Sequence, residues 1–103
     1  MFDLKSLIDV TSRLSPGQAR KIISAILNNN SNLISFTKHA REQMFDRNLK
    51  TGDVLNVLKA GKIWQDPELV NESFRYRVCT QKITVVIAFR KPNNIVVINA
   101  WRM

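Results

Sequence analysis

Residues 73–102, SFRYRVCTQKITVVIAFRKPNNIVVINAWR, contain the pattern that decides the fold of this chain. Over residues 74–80 apolar and basic side chains alternate, which is the period of a strand with one buried face. Residues 83–89 place apolar side chains at every second position, and residues 91–94 contain the Pro and Asn residues of a hairpin turn. Residues 95–102 are apolar on both faces, as in a strand at the centre of a sheet. These patterns predict an antiparallel sheet.

Two helices are predicted before the sheet. Thr37 is placed to cap the first of them, and Asn48 suits the left-handed residue that ends it. Thr51 is placed to cap the second helix, and Gly61 follows its last turn.

The chain is predicted to contain two parts within a single globular unit, residues 1–34 and residues 35–103. In the second part, residues 62–65 are expected to form a short first strand and residues 66–68 a turn. The fold class that follows is α+β, with N-terminal helices packed on one face of a roughly four-stranded antiparallel sheet.

Residues 1–34 are predicted to form a helical hairpin. Its first helix carries three apolar residues at helical spacing, Leu4, Leu7 and Ile8. In the second helix Ser15 is the candidate N-cap, Pro16 fits the first helical position and Gln18 completes a capping box. An apolar stripe along that helix consists of Ala19, Ile22, Ile23, Ile26 and Leu27. The stripe is expected to dock on the core or on a partner protein.

The charge of the chain favours an anionic partner. Sixteen basic residues against eight acidic residues give a net charge of +8 and a pI near 10.3 in a chain of 103 residues, which is the length of one domain. All eight acidic residues lie between Asp3 and Glu72, so the predicted strands from Ser73 onward carry basic residues alone. Nucleic acid is the usual partner of such a surface, and a face that only keeps the protein soluble is the alternative.

The composition also limits the location and the chemistry. No signal peptide is recognisable, the longest apolar runs are too short to span a bilayer, and Cys79 has no second cysteine for a disulfide. We therefore expect a cytoplasmic protein without a membrane partner. One Cys and one His cannot form a Cys/His metal cluster, although a magnesium site made of carboxylates stays open. No cofactor is expected.

Four motifs resemble a bacterial domain family that has long been catalogued as one of unknown function. They are the helix KHAREQM at residues 38–44 with DRNL at 46–49, VLNVLKAG at 54–61, YRV at 76–78 and NAWR at 99–102. The first is similar to the family's HAxxRMxxRxI helix, with Gln43 where an Arg is frequent. The resemblance covers about two-thirds of the chain and leaves out residues 1–34.

That family resembles a branch of the RelE-like, barnase-like superfamily of small toxins, whose helices pack on one face of a four-stranded antiparallel sheet. The resemblance implies a toxin of a type II toxin-antitoxin system that cleaves mRNA as a metal-independent endoribonuclease. The implied partners are RNA and a cognate antitoxin. The antitoxin that binds the relative MqsR contains zinc. The ribosome is a further candidate partner. A DNA-nicking endonuclease and a non-catalytic nucleic-acid-binding or protein-interaction module are the alternatives.

Metal-free RNA cleavage needs proton transfer and cations around the phosphorane, and this need selects the candidate site residues. The catalytic candidates are His39, Arg77 and Arg102. The nucleic-acid-binding candidates are Lys38, Arg41, Arg75, Lys82, Arg90 and Trp101. His39 has the only side-chain type that titrates near neutral pH unperturbed, and Arg77 can contact phosphate oxygens with two donors. As structural alternatives, His39 could cap or pack its helix, Arg77 could pair with an acid across strands, and Trp101 could be a core residue.

Overall fold

The elements of the fold alternate irregularly between helix and strand. The structure is a computed structural model and describes residues 11–29, 34–90 and 94–102. In these residues the elements are, in chain order, α1 (Pro16–Asn29), β1 (Ile34–Phe36), α2 (Lys38–Asp46), α3 (Thr51–Ala60), β2 (Glu68–Val70), β3 (Ser73–Cys79), β4 (Ile83–Arg90) and β5 (Asn94–Arg102). The α+β prediction is confirmed. The first helix of the predicted hairpin and residues 91–93 of the predicted turn lie outside the described residues.

The sheet has five strands in the order β1-β5-β4-β3-β2, and it is mixed rather than wholly antiparallel. Its first strand is the unpredicted one: β1 runs parallel to β5, with Ile34 opposite Ile95 and Phe36 opposite Val97. Three residues are too few to show a strand period in the sequence. The central position predicted for β5 is confirmed, because β1 and β4 flank it.

The prediction of a strand at residues 62–65 is wrong. Lys62 forms only an isolated bridge to Cys79, and the strand begins at Glu68, inside the predicted turn. This edge strand, β2, pairs antiparallel with β3 and places Glu68 opposite Arg75. The shift of a few residues matters, because it brings an acidic side chain beside the arginines of β3.

Helix ends agree with the sequence at most positions. The capping box of α1 is formed, since the Gln18 N–H donates to Ser15 Oγ (3.2 Å) and the Ser15 N–H donates to Gln18 Oε1 (3.0 Å). Thr37 Oγ1 accepts from the Ala40 N–H (3.0 Å) at the start of α2. Asn48 is left-handed, with φ 54°. The cap of α3 differs by one residue: Lys50 is the cap and Thr51 is the first helical residue.

The helices and one face of the sheet enclose a single core cluster. The buried residues of α1 in it are Ala19, Ile22, Ile23 and Ile26, so the apolar stripe of this helix docks on the core. Tyr76 joins the same cluster at 1% exposure, and its hydroxyl accepts from the Leu14 N–H (3.0 Å) just before α1. Arg20 donates to the carbonyls of Leu58 and Gly61 at the end of α3. Residues 14–26 therefore contact both the sheet and α3.

A β-bulge in β5 decides which of its side chains face the helices. Ile87 lies opposite Val97 whereas Val86 lies opposite Asn99, so Ile98 is the extra residue. The alternation shifts by one position at this point. Val97 before the bulge and Ala100 after it both belong to the core cluster. None of the described helices is both long enough and apolar enough to cross a membrane.

Candidate nucleic-acid interface

One face of the sheet is turned away from the core cluster and its helices; we call it the outer face. In β3, Tyr76 and Val78 are buried in the core cluster, so Arg75 and Arg77 project to the outer face. Arg77 lies opposite Val86, and this register carries the outer face across to β4. The prediction that Arg75 and Arg77 share a face opposite Tyr76 is confirmed by this alternation.

The two arginines differ in how they are held. Arg77 keeps 48% of its side chain exposed, and its Nη2 atom lies 4.0 Å from Glu68 Oε2. Arg75 is half-buried, and its Nε atom is buried without a hydrogen-bond partner. An unpaired buried donor is uncommon and costs free energy, and this atom is not accessible to solvent.

Glu68 is the residue of this site that the sequence interpretation missed. It lies opposite Arg75 in register and contacts Arg77, and it lines with both arginines a cavity of about 150 Å³. Gln65 and Asp66 complete the lining. A water molecule occupies about 30 Å³ in the liquid, so the volume of the cavity equals that of several water molecules. Glu68 is thus the acidic cross-strand partner that was the structural alternative for Arg77, and at 4.0 Å this ion pair is weak.

Other predicted binding residues extend the outer face along the strands. By alternation in β4, Arg90 is on this face and exposed, at the end of the strand. Trp101 is half-buried and lies opposite Thr84. Arg90 lies six positions after Thr84 in β4, so the face extends about 20 Å between Trp101 and Arg90. Lys82 lies in the turn before β4 and is exposed.

The middle of the outer face is apolar. Val86, Ala88 and Val96 are exposed by 6%, 3% and 5%, and they lie outside the core cluster that the helices cover. The cationic groups therefore surround an apolar strip on β4 and β5 rather than a uniformly charged surface. The low exposures show that the strip itself is almost inaccessible to solvent, so the exposed basic residues beside it are the groups of the outer face that can contact a phosphate.

Arg102 does not join the outer face. Because of the bulge it projects to the helix side, where its Nε donates to the Arg47 carbonyl (3.2 Å) and its Nη2 donates to the Asn48 carbonyl (3.1 Å). These carbonyls end α2, so the guanidinium satisfies acceptors that the helix leaves open. Its geometry is that of a helix cap.

The three predicted residues of α2 are also separated from the outer face. Lys38, His39 and Arg41 are exposed on a helix whose Ala40 and Met44 pack in the core cluster. Lys38 forms a surface ion pair with Glu42 at 3.9 Å. The sheet lies between this helix and the side chain of Arg77, so the structure does not bring His39 and Arg77 together.

Metal ligands are not grouped in the described part of the chain. Among residues 11–29, 34–90 and 94–102 there is no set of three His, Cys, Asp or Glu side chains that could hold a metal ion. The arrangement on the outer face can bind anions through Arg75 and Arg77 and can accept a proton through Glu68.

A comparison with known families identifies the C-terminal part of the chain. Residues 36–102 match the model of a family described as a domain of unknown function, DUF4258. No curated protein and no solved structure is detectably similar to the chain. The matched segment begins at the last residue of β1 and ends at the last residue of β5, so it contains α2, α3 and the four strands β2 to β5.

Proposed function

The chain belongs to the DUF4258 family, and on that premise we propose that it is a toxin-like endoribonuclease of the RelE-like superfamily, whose RNA site is the outer face of the sheet. The family match carries no activity by itself. The observation that carries the proposal is the position of Arg75 and Arg77 beside Glu68 on the face of the sheet opposite α1, α2 and α3. The proposal covers the type II toxin role, with a cognate antitoxin and mRNA as partners.

Arg75 and Arg77 would bind the scissile phosphate. A guanidinium offers planar, paired donors to phosphate oxygens and stays charged at every physiological pH. Arg77, with 48% of its side chain exposed, is the more accessible of the two to a phosphate. Both groups would stabilise the additional negative charge of the phosphorane, a contribution that is larger in the transition state than in the bound substrate.

Glu68 is the proposed proton acceptor, in place of the predicted His39. It is the carboxylate that contacts Arg77, and a carboxylate can take the proton of a ribose 2′-hydroxyl. The 2′-oxygen then attacks phosphorus, the bond to the 5′-oxygen breaks and this oxygen takes a proton from water. The products are a 2′,3′-cyclic phosphate and a 5′-hydroxyl. The route requires no metal ion.

Trp101 and Arg90 would hold the strand on either side of the cleavage point. Trp101 can stack a base, and stacking is tolerant of sequence because every base has a flat face. Arg90 would contact a more distant phosphate and contribute to affinity rather than to the chemical step. The separation of about 20 Å along the face suits a single strand of several nucleotides.

The experiment is a cleavage assay with defined single-stranded RNA and supercoiled plasmid, each with and without EDTA. We expect cleavage of RNA, with cyclic phosphate ends, in both conditions. Arg77→Gln and Glu68→Gln should each lower the rate about 100-fold. Lys59→Gln is the matched control, because Lys59 is an exposed residue of α3 on the helix side. Melting temperatures of all variants should agree closely.

Three results would reject the proposal in different ways. Nicking of plasmid without cleavage of RNA would favour a DNA endonuclease. Binding of RNA without cleavage of either substrate would favour a non-catalytic nucleic-acid-binding module. Full activity in Arg77→Gln would place the site elsewhere than on the outer face.

A further inference from the structure

Phe45 is an unusually exposed aromatic residue on the helix side of the molecule. It lies in α2 and 87% of it is accessible to solvent, although Met44 next to it is buried. A single exposed apolar side chain is common on protein surfaces, but this one borders a groove. The groove between α2 and the start of α3 is shallow and open to solvent, with a volume of about 640 Å³.

The floor and walls of this α2–α3 groove are apolar. Met44 and Leu49 form its buried floor, with exposures of 7% and 5%, and Phe36 and Phe45 contribute the aromatic walls. Apolar surface of this kind gains free energy when another apolar group displaces water from it. The groove therefore favours an occupant with large apolar side chains.

The charged residues that line the α2–α3 groove are both cations. Arg41 and Lys50 lie on its rim, and no carboxylate is among the described residues that line it. The acids of α2, Glu42 and Asp46, line a neighbouring concavity that shares Arg41 and Phe45 with the groove. Charge complementarity therefore selects an occupant with acidic side chains next to its apolar ones.

A segment of a partner protein satisfies both requirements. A nucleic acid would satisfy the cations, but its sugar-phosphate backbone offers no apolar side chains to the floor. A second copy of this chain is disfavoured, because each copy carries a net charge of +8. We propose that the α2–α3 groove binds an acidic segment of a partner protein that inserts large apolar side chains beside Phe45. This surface is separate from the outer face, because α2 packs on the opposite side of the sheet.

The test is a titration of the full chain, labelled with ¹⁵N, with a short amphipathic peptide. The peptide has leucine at its apolar positions and glutamate at its polar positions, and a second peptide has glutamine in place of glutamate. We expect the acidic peptide to shift the amide signals of Phe45, Lys50 and Thr51 in a saturable way. The affinity of the glutamine peptide should be lower by a factor of about ten or more.

Three variants locate the binding. Phe45→Ser should weaken binding of the acidic peptide about tenfold, and it should fold, because Phe45 is almost fully exposed. The double variant Arg41→Gln and Lys50→Gln should remove the preference for glutamate over glutamine. Lys59→Gln, a change of the same kind on α3 outside the groove, should leave binding unchanged.

Several outcomes would overturn the inference. Equal affinity for the two peptides would show that charge does not select the occupant. Shifts confined to Arg75 and Arg77 would show that the peptide binds the outer face as a simple polyanion. Concentration-dependent shifts at Phe45 and Thr51 without peptide would show that a second copy occupies the groove.

Discussion

The side chain of Gln43 accepts a hydrogen bond of 3.0 Å from the backbone N–H of Ala100, across 57 positions of the chain. Strand β1 pairs with β5 only as far as Val97, so backbone groups of β5 beyond this point need other partners. Thr37 supplies two of them: its N–H donates to the Val97 carbonyl (3.0 Å) and its hydroxyl donates to the Ile98 carbonyl (3.3 Å). The start of α2 therefore continues the edge that β1 begins.

Replacing Gln43 should destabilise the protein through this contact. Gln43→Ala removes the acceptor and leaves the N–H of the buried residue Ala100 unpaired, so the free energy of unfolding should fall by about 1–3 kcal/mol in urea denaturation. Gln43→Glu keeps an acceptor and should retain most of the stability. Glu42→Ala is the control, because it removes only an exposed ion pair with Lys38. If Gln43→Ala and Glu42→Ala lower the free energy of unfolding equally, the hydrogen bond to Ala100 contributes nothing to stability.

Because of its single tyrosine, Tyr76, the protein should lose folding stability at alkaline pH. Burial raises the pKa of Tyr76 above its ordinary value of 10.0. The unfolded chain loses this proton at a lower pH than the folded chain, so the stability is complete below pH 10 and falls as pH rises from there through the folded pKa. Absorbance of tyrosinate during a pH titration measures the shift directly, since the chain has one tyrosine.

The variant Tyr76→Phe separates ionisation from packing. It retains the ring, which lies 5.2 Å from the Phe89 ring between centroids, and it removes the acceptor of the Leu14 N–H. We expect a loss of about 1 kcal/mol at neutral pH and a weaker fall of stability above pH 10. If the wild-type tyrosine titrates at its ordinary value, the burial of its hydroxyl is not maintained in solution.

Removal of the segment before residue 35 should impair folding. The sequence divided the chain into two parts, but the stripe of α1 lies in the same core cluster as Tyr76. We therefore expect a chain without residues 1–30 to unfold with little cooperativity. Ile23→Ala in the full chain should cost about 2–5 kcal/mol, because Ile23 is completely buried. Lys21→Ala, on the exposed side of α1, is its control. A cooperative transition in the truncated chain would support the two-part description.

Substitution by alanine should change the stability of the protein in opposite directions at two glycines, Gly61 and Gly52. A Cβ atom at Gly61 would lie 2.5 Å from the Val57 carbonyl oxygen and 2.9 Å from Val78 Cγ1, so Gly61→Ala should destabilise the protein. Nothing lies within 4 Å of a Cβ at Gly52, in the first turn of α3. Gly52→Ala should raise the stability by about 0.5–1 kcal/mol. Thermal unfolding of the two variants tests the close contact between the end of α3 and β3.

Substitutions at His39 and Arg77 should act independently. The two side chains lie on opposite sides of the sheet, and independent sites change activation free energies additively. In the RNA cleavage assay, Arg77→Gln should lower the rate about 100-fold and His39→Gln should change it little, with the double variant equal to the product. A double variant that is faster than this product would show that both residues act on one phosphate.

The local pattern of the sequence was sufficient for much of the fold. Caps and stops such as Ser15, Thr37 and Asn48 involve neighbours within a few residues, so the sequence contains their whole environment. The alternation in β3 likewise determined that Arg75 and Arg77 share a face opposite Tyr76. Short edge strands have no comparable signal, and β1 and β2 were missed or displaced for that reason.

Only the tertiary structure decided which candidate residues meet. Strand β5 is apolar on both faces, and a single extra residue, Ile98, reverses its alternation; Arg102 therefore caps α2 while Trp101 faces outward. Glu68 reached the arginines through pairing between strands, and His39 was separated from them by the sheet. A residue's type and its period along one element are local properties of the sequence. The distance between elements depends on packing and register, which arise from contacts between residues far apart in the chain.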